Sequence, residues 1–430
     1  MDKSKLGIKS ADILLPREGI DLKKWATVAC DQYTSEPEYW LDVEKIVADS
    51  PSTFRITFPE VYLEKEGKKE RIRNIVKTME DYIEEGVFTE YKDSFILVKR
   101  TCDGKSRYGL MAALDLDQYD YSKDSRSLIR ATEGTILERI PPRKEIRKDA
   151  PLELPHIMVL ISDEKRSVIE PLKDKMDSLK RIYSTELMKD GGYLEGYLID
   201  SDEDKEMIYQ AFENLYLALD KTNPLLFAMG DGNHSLATAK SCWEDMKKGL
   251  SEEERKDSKA RYALVEIENI YDEALLFEPI HRVFFNLSMD EFEKEVLKYA
   301  KGMTYHREKS IEDMVERING KDGLMFGLSV SNELYSVEVK GSRNFLSASL
   351  MQSVIDSLKE RNACQIDYIH GIDVTVKLSN EGNNIGIILP DVDKSSFFET
   401  VIKEGSFPRK TFSIGHANEK RYYMEARRIK

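Results

Sequence analysis

Short apolar runs and longer stretches with helical spacing alternate along the chain, so strands and helices are interleaved from end to end. Residues 94–98 and 108–114 are apolar-rich and flank Cys102-Asp103-Gly104-Lys105, whose Asp-Gly pair favours a tight turn; together they predict a hairpin. A helix is expected before it, over 71–85. Residues 154–161 predict another strand, followed by a long polar helix over about 165–188 that Gly191-Gly192 would end. The next unit is compact: a buried strand at 225–229, a turn at 230–233 and a helix over 235–248 that closes near Gly249. Strands are expected at 262–267, 279–285, 324–330, 334–339 and 385–389, and helices at 350–359 and 395–403. Around residues 289–301 the sequence becomes more charged, which sets a boundary near 290. An N-terminal α/β domain, 1–290, then carries the 230–233 turn. A smaller C-terminal α/β domain, 291–430, follows, with its last segment expected to return to the site. The fold class is α/β with α+β character.

Length and charge narrow the functions open to such a fold. A chain of 430 residues suits two or three domains. Its 65 basic and 79 acidic side chains give a net charge of −14, which argues against a nonspecific grip on nucleic acid or anionic lipid. An anionic ligand would need a local basic pocket. No apolar run approaches the roughly 20 residues that span a bilayer, and the first residues carry no apolar signal-peptide core. Cys30, Cys102, Cys242 and Cys364 lie far apart with no Cys-x-x-Cys pair, so a reducing cytoplasm is the expected setting. The oligomeric state stays open, a homodimer included.

The segment 229–239 carries the densest candidate chemistry. Gly230 and Gly232 flank Asp231 at the exit of a buried strand, where they allow positive φ and leave amides unobstructed by Cβ atoms. Asn233 or Ser235 is expected to cap the following helix, whose small residues Ala237 and Ala239 permit close packing. Unpaired amides at the helix start suit a phosphate or carboxylate, and His234 at that mouth can donate to phosphate or move a proton near neutral pH. The bland alternative is a glycine-rich turn in which Asp231 and His234 merely satisfy loop amides. Neither a Walker A loop nor a full dinucleotide fingerprint is present.

Asp-Gly-Asn-His-Ser-Leu-Ala at 231–237 resembles the Asp-Gly-x-His-Arg box of domain-of-unknown-function family 1015. The segments 13–16, 29–33, 278–282, 365–371 and 407–411 resemble that family in the same order, so the likeness covers nearly the whole chain. The box in turn is similar to the phosphate-binding turn of the ParB/sulfiredoxin-like fold, whose members include a free-serine kinase. This likeness implies a mixed sheet with a strand–turn–helix phosphate site. Ser235 stands where the relatives carry Arg, so one phosphate ligand is missing from the pattern.

Basic substitutes are sought in 130–147, where four arginines and a lysine lie within 18 residues from Arg130 and Pro141-Pro142 predict an extended backbone. Arg139 and Arg143 would splay from that stiff loop as anion forks, with Glu133 orienting an arginine or holding magnesium; a solvated surface strand is the alternative. By resemblance Asp31 is the candidate general base, with a helix or turn cap as its alternative role; Cys30 beside it suits a small buried thiol. His281, Arg282 and Lys410 are auxiliary candidates for the ligand site, against core or surface-turn roles. Six histidines without helical or His-x-His pairing define no metal centre. The leading expectation is a protein that binds a phosphate-bearing small molecule or nucleotide, such as ADP or ATP with Mg²⁺, and catalyses phosphoryl transfer or hydrolysis. Alternatives are a non-enzymatic metabolite sensor and, less favoured, a ParB-like nucleic-acid module.

Overall fold

In the computed structural model, which describes residues 2–320, 323–342, 344 and 346–430, the chain forms two compact units. One comprises the residues up to Leu275 together with Val401–Gly405 and Gly415–Lys430; the other comprises Leu276–Thr400 and Ser406–Ile414. The division precedes residue 290 because strand Phe277–Phe285 belongs to the second unit, where it pairs with Gln365–His370, Ile385–Ile388 and Phe412–Ile414.

An 11-stranded mixed sheet builds the first unit. Its centre is the predicted hairpin, Phe88–Cys102 and Lys105–Asp115, turned by Asp103 at φ +48° and Gly104 at φ +77°. Positive φ at both central residues matches the right-handed twist of the strands, which is why Asp-Gly works here. Strand Tyr262–Asn269 lies antiparallel to the hairpin and parallel to Met158–Ile161, and Phe227–Asp231 follows antiparallel to the latter. Both faces are buried. Ile96, Val98, Met111 and Leu264 pack towards Trp25, Trp40 and helix Lys68–Glu84. Leu97, Leu110, Val265 and Ile267 pack towards helices Asp202–Ala218 and Asn233–Met246. The alternation along each strand thus fixes register, because a one-residue slip would turn Arg100 and Arg107, which share the face of Val98 and Met111, towards the second core.

The polar stretch 165–188 is not one helix. After a short helix, Glu170–Asp174, it becomes strand Lys180–Glu186, paired with Tyr193–Ile199. Ile182, Tyr183 and Thr185 suit a pleated surface, and pairing outweighs the helical tendency of the charged residues. Gly191-Gly192 lies in the connecting turn, where Gly192 takes φ +79° and a Cβ would come 2.2 Å from the Thr101 carbonyl. The strand expected from 154 starts at Met158, since Pro155 cannot donate to a ladder. In the second unit the sheet order places Phe277–Phe285 between Ile385–Ile388 and the edge strand Gln365–His370. Leu324–Val330, Glu333–Lys340 and helix Ser347–Glu360 form as the sequence predicts.

Candidate active site

Strand Phe227–Asp231 pairs with Met158–Ile161 through a register shift between Met229 and Asp231, so Gly230 forms a bulge rather than a positive-φ turn. Gly232 alone of the two glycines takes positive φ, +78°, and a Cβ there would stand 3.1 Å from Ile157 Cα. Gly232 is also the cap of helix Asn233–Met246, with no side-chain cap bond, so neither Asn233 nor Ser235 fills that role. Asn233 instead accepts the Thr132 amide at 3.3 Å, and His234 Nε2 accepts the Ile136 amide at 3.2 Å. The loop 130–136 is thereby pinned to the turn, with Thr132 Oγ1 donating to the Met229 carbonyl at 2.6 Å. Thr135 Oγ1 in this loop is buried without a hydrogen-bond partner among the described residues. Glu133 is half-buried in the same loop.

The basic forks are placed differently from the expectation. Pro141 and Pro142 do not extend the backbone; they open helix Ile140–Arg147, where first-turn positions have no amide bond to lose and φ near −65° is already helical. Arg139 is exposed. Arg143 turns to Glu60, which accepts from its Nε at 2.8 Å and lies 2.5 Å from its second terminal nitrogen. Buried Arg130 donates to the Ser127 and Pro224 carbonyls and to Asn223 Oδ1, a structural role.

Four residues that sequence reasoning missed complete the constellation: Glu60, His156, Lys420 and Tyr423. Asp31 Oδ1 accepts from the Gln32 side chain at 3.0 Å, and Asp31 Oδ2 lies 3.9 Å from His156 Nε2. His156 Nδ1 shares a 2.8 Å hydrogen bond with the Tyr423 hydroxyl, which accepts the Cys30 amide at 3.1 Å. This arrangement suits the tautomer with its proton on Nε2, facing Asp31. Glu60 is tied to the same loop because its amide donates to the Cys30 carbonyl at 2.8 Å. Lys420 reaches Asp231 Oδ2 at 3.0 Å while the Gly232 amide donates to Asp231 Oδ1 at 2.7 Å. The C-terminal segment holds this position through Ala29, whose amide donates to the Arg421 carbonyl, and through Tyr423, whose amide donates to the Thr27 carbonyl.

Electrostatics follow from this crowding. Burial disfavours the Asp231 anion, but Lys420, then His156 and the Gly232 amide, outweigh it and hold the carboxyl below its usual range. Burial raises the Glu60 carboxyl; Arg143 offsets part of that and Asp31 adds to it. Burial also pushes the Cys30 thiol far up, so it is a packed thiol and a poor nucleophile. Among the described residues, the grouping of metal-ligating side chains with mutually close donor atoms is Cys102, Asp103 and Glu419, within 4.8 Å; Asp31, Glu60 and Asp231 form no such ready-made set. Two clefts of the first unit lie away from the turn. One, about 440 Å³, includes Tyr108, Lys173 and Asn269 at the far end of strand Met158–Ile161; the other, about 360 Å³, includes Lys144, Cys242 and Trp243. Within the second unit, His281 and Arg282 are buried and Lys410 is exposed.

A mixed α/β protein in which strand Phe227–Asp231, a tight turn and helix Asn233–Met246 follow one another is thus the class that the architecture defines. The chain belongs to the family described as protein of unknown function (DUF1015), whose model matches residues 14–361. No curated protein matches the sequence. Among solved structures it is similar to a variant of a free serine kinase in complex with AMP, at 11% identity and a TM-score of 0.38, covering 75% of this chain and 91% of that one. A conserved hypothetical protein from Pyrococcus furiosus gives 10% identity and a TM-score of 0.33, covering 74% and 90%. SbnI from Staphylococcus aureus gives 9% and 0.34, covering 71% and 82%. No described helix is long and apolar enough to cross a membrane.

Proposed function

We propose that the turn 230–235 is the phosphate-binding element of a ParB/sulfiredoxin-like unit, that it takes a nucleotide or another phosphate-bearing small molecule, and that the residues beside it transfer a phosphoryl group to a small acceptor. The observation that carries this reading is the orphaned Thr135 hydroxyl in the loop pinned to an uncapped helix start, with Asp31, Glu60, His156 and Asp231 gathered alongside. A buried hydroxyl without a partner and a helix start without a side-chain cap are groups that an anion's oxygens would satisfy.

In this scheme Asp31 accepts the proton of the acceptor hydroxyl as its oxygen bonds to the terminal phosphorus and the bond to the leaving phosphate breaks. His156, held by Tyr423, keeps that carboxylate oriented. Lys420 and Arg143 face charge that the protein's own carboxylates already balance, so an added phosphate calls for a further cation. Glu60, whose contacts to Arg143 use only Oε1, offers a hard oxygen that would hold Mg²⁺ shared with the ligand's phosphates, the usual way that ion is held, and leaves Asp31 as the base. Magnesium bound there would neutralise phosphate charge.

Titration calorimetry with ADP, ATP and pyrophosphate, with and without Mg²⁺, tests the reading. Saturable binding that weakens about tenfold or more in Lys420→Met supports it. Absence of binding by all three, or unchanged binding in both His234→Ala and Lys420→Met, refutes it. Loss of turnover in Asp31→Asn with affinity retained separates an enzyme from a sensor.

A further inference from the structure

The cleft of about 360 Å³ beside helix Asn233–Met246 takes no part in the turn, and its lining is of two kinds. The floor is apolar. Ala239, Cys242, Trp243 and Met246 come from that helix, and Ala260 and Ile429 close the other side. Trp243 is fully buried and commits its indole N–H to Asp117 Oδ1 at 2.8 Å, so it offers the cleft no donor. Burial raises the Cys242 thiol, which therefore stays protonated and acts as a small apolar group. Met246 is 37% exposed, an apolar side chain left open to water at the cleft. Recesses of roughly 300–1,000 Å³ with apolar linings and a few polar groups are the usual form of small-molecule sites.

The rim is basic. Helix Ile140–Arg147, which packs on helix Asn233–Met246, brings Lys144, Arg147 and the following Lys148 to the cleft, where Asp245 is the lining carboxylate. Each carboxylate that the first two of these cations meet is shared. Asp245 pairs with both Lys144 and Lys248, and Glu153 with both Arg147 and Arg427. Lys148 has one ion pair among the described residues, with Asp149 at 3.9 Å, and both side chains are largely exposed, so that pairing contributes little. Lys144, Lys148, Lys248, Arg147 and Arg427 thus meet Asp149, Glu153 and Asp245, a local excess of positive charge on a chain whose net charge is −14. Lys144 and Lys148 are one helical turn apart and so share a face.

We infer that this cleft is a binding site for a small carboxylate bearing an acyl chain, with the chain laid over Trp243 and Met246 and the carboxylate set at the rim of Lys144 and Lys148. An anion without apolar bulk would leave the floor wet, and a neutral or cationic chain would leave the excess charge of the rim unanswered. The cleft lies wholly within the first unit, and its occupancy is independent of the reading of the 230–235 turn.

Octanoate is the probe, titrated into the full chain and followed by calorimetry and by tryptophan fluorescence, with Trp243→Phe assigning the optical response. Saturable binding at one site per chain is expected, weakening about fourfold for each methylene removed through the shorter acids, as loss of a buried CH₂ requires, with acetate inert. Lys148→Glu combined with Met246→Glu, both at exposed positions, should weaken octanoate at least about tenfold without lowering the ligand-free melting temperature. Cys242→Leu, which fills the recess, should weaken it similarly. Absence of saturable binding, affinity indifferent to chain length, octylammonium binding as tightly as octanoate, or unchanged affinity in the double glutamate variant overturns the inference. Should Cys242→Leu fail to fold, the surface pair and the ligand series still decide.

Discussion

Two buried arginines, Arg421 of the first unit and Arg282 of the second, are compensated in opposite ways. In the first, Arg421 is paired with both Glu266 and Glu425, its Nε donates to the Pro155 carbonyl at 3.0 Å, and Tyr183 in turn hydrogen-bonds Glu425. In the second, Arg282 has carbonyl oxygens and a ring but no carboxylate among the described residues. Arg421 sits in a closed ion network, whereas Arg282 relies on carbonyl dipoles and a ring face, much as Arg130 relies on carbonyls and an amide oxygen. The same contrast explains His281. Burial first, then Arg282 and His370, lower its pKa to about 4, and its Nδ1 accepts the Leu389 amide at 3.2 Å as a neutral ring must.

The sharpest way to break the contrast is a matched pair of substitutions. Arg421→Met strands two buried carboxylates and should cost on the order of 3–5 kcal/mol in chemical denaturation, while Arg282→Met, which strands only carbonyl oxygens, should cost about 1–3 kcal/mol. Equal losses would show that the two arginines do the same work. Acid supplies the next effect. Because His281 titrates lower in the folded than in the unfolded chain, its stability contribution is complete above about pH 6.5 and disappears as pH falls towards about 4. The loss is on the order of 3 kcal/mol. Hydrogen exchange along strand Phe277–Phe285 across that range should show it, and His281→Asn should flatten the profile. Smaller again, Gly232→Ala should destabilise the first unit by about 1–2 kcal/mol, since alanine must accept positive φ against Ile157. At the bottom of the scale, exposed Arg139→Ala should change stability by no more than about 0.5 kcal/mol in the same denaturation assay.

What was legible in the sequence was local. Asp103-Gly104 announces its hairpin, helix Lys68–Glu84 follows from spacing, and the strand–turn–helix around Gly232 is visible because a buried run, two glycines and a helix start are contiguous. Context overrode local signals elsewhere. Pro141-Pro142 suits a first helical turn as well as an extended loop, and only the neighbouring packing against helix Asn233–Met246 decides between them. The site was legible only in part. Asp31, Asp231 and His234 sit in recognisable motifs, but Glu60, His156, Lys420 and Tyr423 come from separate segments that meet through sheet order and the return of residues 415–430. His156 had one faint signal, a lone histidine after proline at the entry to a buried strand beside the turn strand.

That return has a consequence for how the protein is made. Lys420, Arg421 and Tyr423 leave the ribosome only after the whole second unit has been synthesised, yet they insert into the body formed by the first 275 residues. Until then Glu266 lacks its Arg421 partner and Asp231 its Lys420 partner. The early-emerging body is therefore expected to wait in a loosened, protease-sensitive form, and nascent chains halted before residue 415 should be cleaved far faster than completed ones.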